Sequence, residues 1–265
     1  MYDYAIRHVQ SRDGTKLAYD RVGDGPPVVL VYGASVSRGI NAAIAELLST
    51  AFSVWNYDRR GRGESTDVQP YAVEREIEDL EAVIDAAGGS AFVVGFSSGA
   101  ALALHAAIAL GPGKVTRLAL WEAPFVLDPD ARPPVDQVRQ LRILLNEDQR
   151  GAAVEYFLGQ VVGMPPDAVS WARSQPFFRG QMDVAHTLIY DALVMGDYSL
   201  PRDHAALVQC PTLVLAGGAS LPFMLQTAIA LAAAIPGARR ERLAEQAHDV
   251  DPAALAPSLT RFFRE

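Results

Sequence analysis

Short apolar runs separated by segments of helical spacing dominate the pattern of the chain. Residues 27–32 (PVVLVY), 52–57 (FSVWNY), 91–95 (AFVVG), 115–121 (VTRLALW) and 212–216 (TLVLA) are rich in β-branched and aromatic side chains. Runs of this kind with little polar alternation are expected of strands buried on both faces. Ahead of them, residues 6–10 and 16–21 alternate and are joined across Asp13-Gly14, a hairpin signal. Between the strands, Val73–Ala86 carries acids and apolar residues at helical spacing and stops at Gly88-Gly89. Ser98–Leu110 is an Ala-rich helix closed by Gly111-Pro112. A strand around 240–243 and a helix over 252–263 follow, with Asp251 as N-cap and Pro252 at the first helical position.

Buried strands alternating with helices predict an α/β fold, a mostly parallel sheet covered on both faces. Residues 125–203 break the alternation, because they show helical periodicity and no convincing strand. The predicted organisation is therefore a core of residues 1–124 and 204–265 with a helical lid, 125–203, inserted after the sixth strand. An insertion there rises above the carboxyl edge of the sheet, where open α/β sheets bind ligands. No repeat or low-complexity tract interrupts this plan.

Composition narrows the function. The chain has 265 residues, half of them apolar and a fifth charged, which suits one large domain or a core plus an insertion. Its 31 acidic against 23 basic side chains leave a net charge of −8, which opposes binding to nucleic acid or an anionic membrane. The basic cluster Arg59, Arg60 and Arg62 is flanked by Asp58 and Glu64. Cys210 is the only cysteine, so no intramolecular disulfide is expected, and no Cys/His spacing resembles a zinc site. With no basic-then-apolar leader and no apolar run near 20 residues, the expectation is a soluble, cytoplasmic protein, and no cofactor or metal is expected.

The most specific chemical signal is Gly95-Phe96-Ser97-Ser98-Gly99, a G-x-S-x-G between a buried strand and a helix. That context is the one a nucleophile elbow requires. The tight turn lifts Ser97 Oγ off the sheet, and a Cβ at either glycine would crowd the neighbouring backbone. A Gly-rich strand-to-helix turn without chemistry is the bland alternative.

With these residues in view, the chain resembles the α/β-hydrolase superfamily along essentially its whole length. Tyr32-Gly33-Ala34 stands where the family usually has His-Gly-x, and residues 58–65 (DRRGRGES) resemble its D-x-R-G-x-G-x-S loop. Residues 214–218 (VLAGG) resemble the strand before its usual acid, and Gln246-Ala247-His248 falls where its catalytic histidine loop lies. The resemblance implies a serine nucleophile, Ser97, a general base, His248, and an oxyanion hole from the backbone amides of Ala34 and Ser98, with Ser35 as the alternative if the turn differs by one position. Among the five histidines, His8, His105, His186 and His204 have structural readings.

The acid departs from the family pattern. Residues 217–224 (GGASLPFM), where an Asp is usual, contain no carboxylate. Glu122 ends the sixth strand, a position at which some relatives, pancreatic-type lipases among them, hold their acid. It is the candidate acid; a Glu pairing with a lid Arg, or an acid lost altogether, are the alternatives. Asp249 abuts His248, Asp251 suits the helix cap, and Asp58 suits ordering its own loop. Trp121, Phe125, Tyr156, Phe157, Trp171, Phe177, Phe178, Met182 and Phe223 are candidates to line an apolar acyl pocket or to form lid core.

The implied activity is hydrolysis of a small-molecule ester, lactone or thioester through an acyl-enzyme on Ser97. A serine nucleophile sets aside the Asp-dependent dehalogenases and epoxide hydrolases and the Cys-dependent dienelactone hydrolases. Amide or C–C hydrolysis, acyl transfer and cofactor-free perhydrolysis use the same apparatus. A catalytically silent small-molecule-binding homologue is the reading from another class.

Overall fold

The computed structural model of the chain describes residues 6–265. Eight strands form its sheet: β1 (Arg7–Gln10), β2 (Lys16–Val22), β3 (Pro27–Val31), β4 (Ser53–Tyr57), β5 (Ala91–Phe96), β6 (Val115–Trp121), β7 (Thr212–Gly217) and β8 (Arg239–Leu243). Their order is β1-β2-β4-β3-β5-β6-β7-β8, with the β1–β2 and β2–β4 pairings antiparallel and the other five parallel. Asp13-Gly14 lies in the β1–β2 turn, where Gly14 takes φ +95° and the Asp13 carboxylate caps the Thr15 amide at 2.9 Å.

Eleven α-helices accompany the sheet: α1 (Ala42–Leu48), α2 (Val73–Ala86), α3 (Ser98–Leu110), α4 (Gln137–Asn146), α5 (Arg150–Tyr156), α6 (Pro166–Arg173), α7 (Pro176–Asp183), α8 (Leu188–Met195), α9 (Arg202–Ala205), α10 (Pro222–Ala234) and α11 (Pro252–Arg264). Asp251 caps α11 by accepting from the Ala253 amide at 2.8 Å, as the Asp-Pro pair predicts.

The continuous apolar strands are explained by their two-residue period. Val29, Val31, Val93, Leu118, Leu120 and Val214 point into one core with α2, α3 and α10. Val28, Leu30, Val94, Ala119, Trp121, Leu213 and Leu215 point into the other, with α1 and α11. Both faces are thus covered, as a parallel sheet needs. The edge strand β8 reads RRERL and stays partly to fully exposed, which discourages edge pairing with another chain.

Residues 125–203 hold α4 to α8, the start of α9 and no strand. Leu141, Val154, Phe157, Phe178, Leu188 and Ala192 make a third apolar cluster there, and Ala34 of the core packs against it. The end of α8 behaves differently, since Val194, Met195 and Tyr198 join the core beneath the sheet. Among the described residues no helix is long and apolar enough to cross a membrane, and no His/Cys/Asp/Glu group is arranged to hold a metal ion.

Candidate active site

Ser97 is the single residue between β5 and α3, and it has φ 54° and ψ −127°. Such a conformation costs a non-glycine residue on the order of 1–3 kcal/mol and persists only where its surroundings hold it. They do so here. The Ser97 amide donates to the Trp121 carbonyl at 2.9 Å, and the flanking turns leave no room for side chains. A Cβ on Gly95 would fall 2.5 Å from Ala100 Cα, and one on Gly99 would fall 2.4 Å from the carbonyl oxygens of both Val31 and Tyr32. Because those obstacles are backbone, Gly99→Ala is expected to destabilise the fold by about 1–3 kcal/mol or more. At roughly 2–4 °C per kcal/mol for a chain near this size, a thermal melt reads that directly; an unshifted Tm would mean that the loop after β3 yields.

Strand register brings the next residue alongside. Phe96 is paired with Trp121, so Ser97 and Glu122 leave neighbouring strands at the same level of the carboxyl edge. Glu122 also has positive φ, 45°, which turns it back over the strand ends. Its carboxylate is fully buried: Oε1 accepts from the Gly217 amide at 2.7 Å, and Oε2 lies 2.7 Å from His248 Nδ1. An anion there favours the imidazole tautomer with the proton on Nδ1, which leaves a free lone pair on Nε2. Burial pushes the Glu122 carboxyl up, but hydrogen bonding from His248, the Ser220 hydroxyl and the Gly217 amide outweighs it, and the group sits below the ordinary carboxylate range.

The loop carrying His248 is tied down from several sides. The Trp121 indole donates to the His248 carbonyl at 3.0 Å, and Gln246 accepts from the Ala219 amide at 2.8 Å and, through its side chain, from the Asp251 amide at 2.9 Å. The imidazole itself stays accessible, with 44 % of the side chain exposed. Ser97 Oγ makes no hydrogen bond among the described residues.

Gly33 borders Ser97, since a Cβ there would meet Ser97 Cβ at 2.8 Å. The Tyr32-Gly33-Ala34 segment therefore passes beside Ser97, with Tyr32 stacked on Phe96 at 4.8 Å. Below it lies a buried ionic cluster. Arg59 forks onto Glu76 with two bonds of 2.7 Å and reaches Asp191 at 2.8 Å, while Arg62 reaches Asp191 at 2.7 Å. Burial opposes charge on both acids, yet the two arginines hold Glu76 and Asp191 below their ordinary range. Asp58 is structural in its contacts, accepting from the Arg38 and Glu64 amides at 2.6 and 3.0 Å and from the Arg38 guanidinium.

Several aromatic candidates have other duties. Trp121 and Phe125 are packed inside the sheet cores, and Trp121 spends its indole N–H on the His248 loop. Trp171 and Phe177 stand 58 % and 49 % exposed, on the outside of the inserted segment. Tyr156, Phe157, Phe178 and Met182 belong to the cluster that meets Ala34. Sequence reasoning missed Asp191 and the indole contact. The signal for Asp191 was present: it is the lone acid in the apolar stretch LIYDALVM of α8.

Comparison with known proteins agrees with this architecture. A model of the alpha/beta hydrolase family matches residues 17–258. The chain is 30% identical over 211 residues to the pimeloyl-[acyl-carrier protein] methyl ester esterase of Chromobacterium violaceum, covering 76% of this chain and 78% of that one. Its structure matches an alpha/beta hydrolase from Sphaerobacter thermophilus with TM-score 0.91 and 52% identity, over 97% of this chain and 100% of the other. It also matches the enol-lactonase of Burkholderia xenovorans with TM-score 0.73 at 22% identity, over 98% and 100%, a likeness of fold.

Proposed function

The chain belongs to the alpha/beta hydrolase family, and from that premise we propose that it is a serine hydrolase cleaving a small-molecule ester, lactone or thioester. Ser97 Oγ attacks the carbonyl carbon while its proton passes to His248 Nε2. The amides of Ala34 and Ser98 take the developing oxyanion, and His248 returns the proton to the leaving group. Water, deprotonated by the same imidazole, then releases the acid and restores Ser97. The observation that carries this reading is the 2.7 Å contact between a fully buried Glu122 carboxylate and His248 Nδ1, one strand from the nucleophile. It also favours an enzyme over a silent binding homologue, a reading that drew on the missing carboxylate after β7. The named activity of the Chromobacterium violaceum relative supports a carboxylic ester as substrate class. Labelling by a fluorophosphonate, together with turnover of p-nitrophenyl esters, tests the assignment. A folded protein that neither labels nor turns over any acyl chain would overturn it.

Residues 125–203 act in this reading as a cap whose inner cluster bounds the acyl group. Phe157→Ala, in the cluster that meets Ala34, is expected to shift chain-length preference toward longer acyl groups by roughly tenfold. The ratio of kcat/KM across a C2 to C12 ester series measures it. An unchanged ratio would leave this segment as a structural cover.

A further inference from the structure

Resting on the serine-hydrolase reading, we propose that Asp191 of the inserted segment is a positioning residue that sets the geometry of both oxyanion donors. The Asp191 side chain lies 2.7 to 2.8 Å from three donors, Arg59, Arg62 and the Ser98 hydroxyl. Each of those donors reaches a part of the expected oxyanion hole.

Arg62 donates to the Gly33 carbonyl at 2.5 Å and Arg59 to the Tyr32 carbonyl at 3.2 Å. A trans peptide is planar, with its C=O and N–H pointing in opposite directions. Holding the Gly33 oxygen therefore also aims the Ala34 N–H, and holding the Tyr32 oxygen fixes the plane before it. On the other side, the Ser98 hydroxyl donates to Asp191 Oδ1 and anchors the residue whose own amide is the second donor. One carboxylate thus joins the loop after β3, through two arginines on its carbonyls, to the first turn of α3, through the Ser98 hydroxyl.

The cluster is not arranged only for stability. Arg62 Nε is buried without a hydrogen-bond partner, although both terminal nitrogens are engaged. A buried orphan donor is costly, and here it accompanies a fork directed at Asp191 and the Gly33 oxygen. Glu76 balances Arg59 from α2, and the Tyr71 hydroxyl donates to Glu76 at 2.9 Å, so the Arg59 head is clamped on both sides.

The test compares wild type, Asp191→Asn and Ser98→Ala on one activated ester and on an alkyl trifluoromethyl ketone. Ser97 Oγ adds to the ketone carbonyl, its proton goes to His248, and the resulting hemiketal oxyanion must be held by the two amides. Losing one well-aimed donor typically costs about 10²- to 10³-fold in kcat. Misaiming rather than deleting it should lower kcat of Asp191→Asn by roughly 10- to 100-fold, with KM within about threefold. The ketone inhibition constant should rise by the same factor as kcat falls. Ser98→Ala keeps both backbone amides and should show the same pattern at several-fold size. Thermal melts establish folding; if Asp191→Asn does not fold, Ser98→Ala alone decides. Unchanged kcat and ketone affinity in the folded variants, or a loss in KM as large as that in kcat, would overturn the positioning role while leaving the hydrolase reading intact. Wild-type protein that neither cleaves the ester nor binds the ketone would overturn both.

Discussion

Ser97→Ala is expected to lower kcat for activated esters by about 10⁶-fold, to the level set by binding and the oxyanion donors alone. The substitution removes one oxygen and nothing that holds the turn. The strained backbone at Ser97 is fixed by its amide bond to the Trp121 carbonyl and by the glycine contacts on either side, and Oγ makes no hydrogen bond among the described residues. Alanine tolerates the same φ and ψ no better and no worse, so the melting temperature should stay within a few degrees and the circular dichroism spectrum should be unchanged. KM, where measurable, should move little. Fluorophosphonate labelling should disappear together with turnover. A folded Ser97→Ala protein with near wild-type turnover would mean that another group attacks the carbonyl, and the whole assignment of roles would fall with it.

Local patterns and long-range partners differ in how far the chain announces them. The strands are legible because burial on two faces forces runs such as PVVLV and TLVLAG, each almost wholly buried. The turn at Ser97 is legible because only glycine fits at Gly95 and Gly99. Helix α10 is not among the elements the pattern predicts. Its sequence PFMLQTAIALAAA is apolar nearly all round, and with Ala228 and Leu231 buried but Ile229 exposed it carries no clear amphipathic period. Helix α1, seven residues long, is too short for a period to show. The arginine cluster at 59–62 reads as a charged loop, whereas its partners stand on α2 and α8, with Asp191 lying 132 residues from Arg59. Glu122 could be nominated because it ends a strand; its contact with His248 spans 126 residues and depends on register, loop length and a positive φ that no local spacing encodes.

Glu122→Gln is the second substitution with a large expected effect, and its mechanism follows from the Gly217 and His248 contacts of the carboxylate. Glutamine keeps the volume and can keep one contact. The Gly217 amide is a fixed donor 2.7 Å from Oε1, so the amide oxygen of Gln must occupy that side. The amide nitrogen then faces His248 Nδ1, where Oε2 now lies at 2.7 Å. Two donors cannot face each other, so Nδ1 gives up its proton and becomes the acceptor. The proton moves to Nε2, and that nitrogen loses the lone pair with which it would act as a base toward Ser97. The imidazolium formed during attack also loses its buried counter-ion. By comparison with other triads, kcat should fall by about 10²- to 10⁴-fold with little change in KM. Since the wild-type carboxyl sits below the ordinary carboxylate range, it stays anionic at neutral pH, and the loss should be present across the neutral region rather than confined to acid. Ser220→Asp offers a check within the same loop. The Ser220 hydroxyl is buried beside Gly217 and close enough to the Glu122 carboxyl to help hold it anionic, so a carboxylate added there should restore part of the activity of the Gln variant. Kinetics of the single and double variants on one soluble ester, with melts to confirm folding, decide the matter. If Glu122→Gln retains wild-type kcat/KM, the carboxylate is a structural partner of the His248 loop and the chemistry runs on Ser97 and His248 alone.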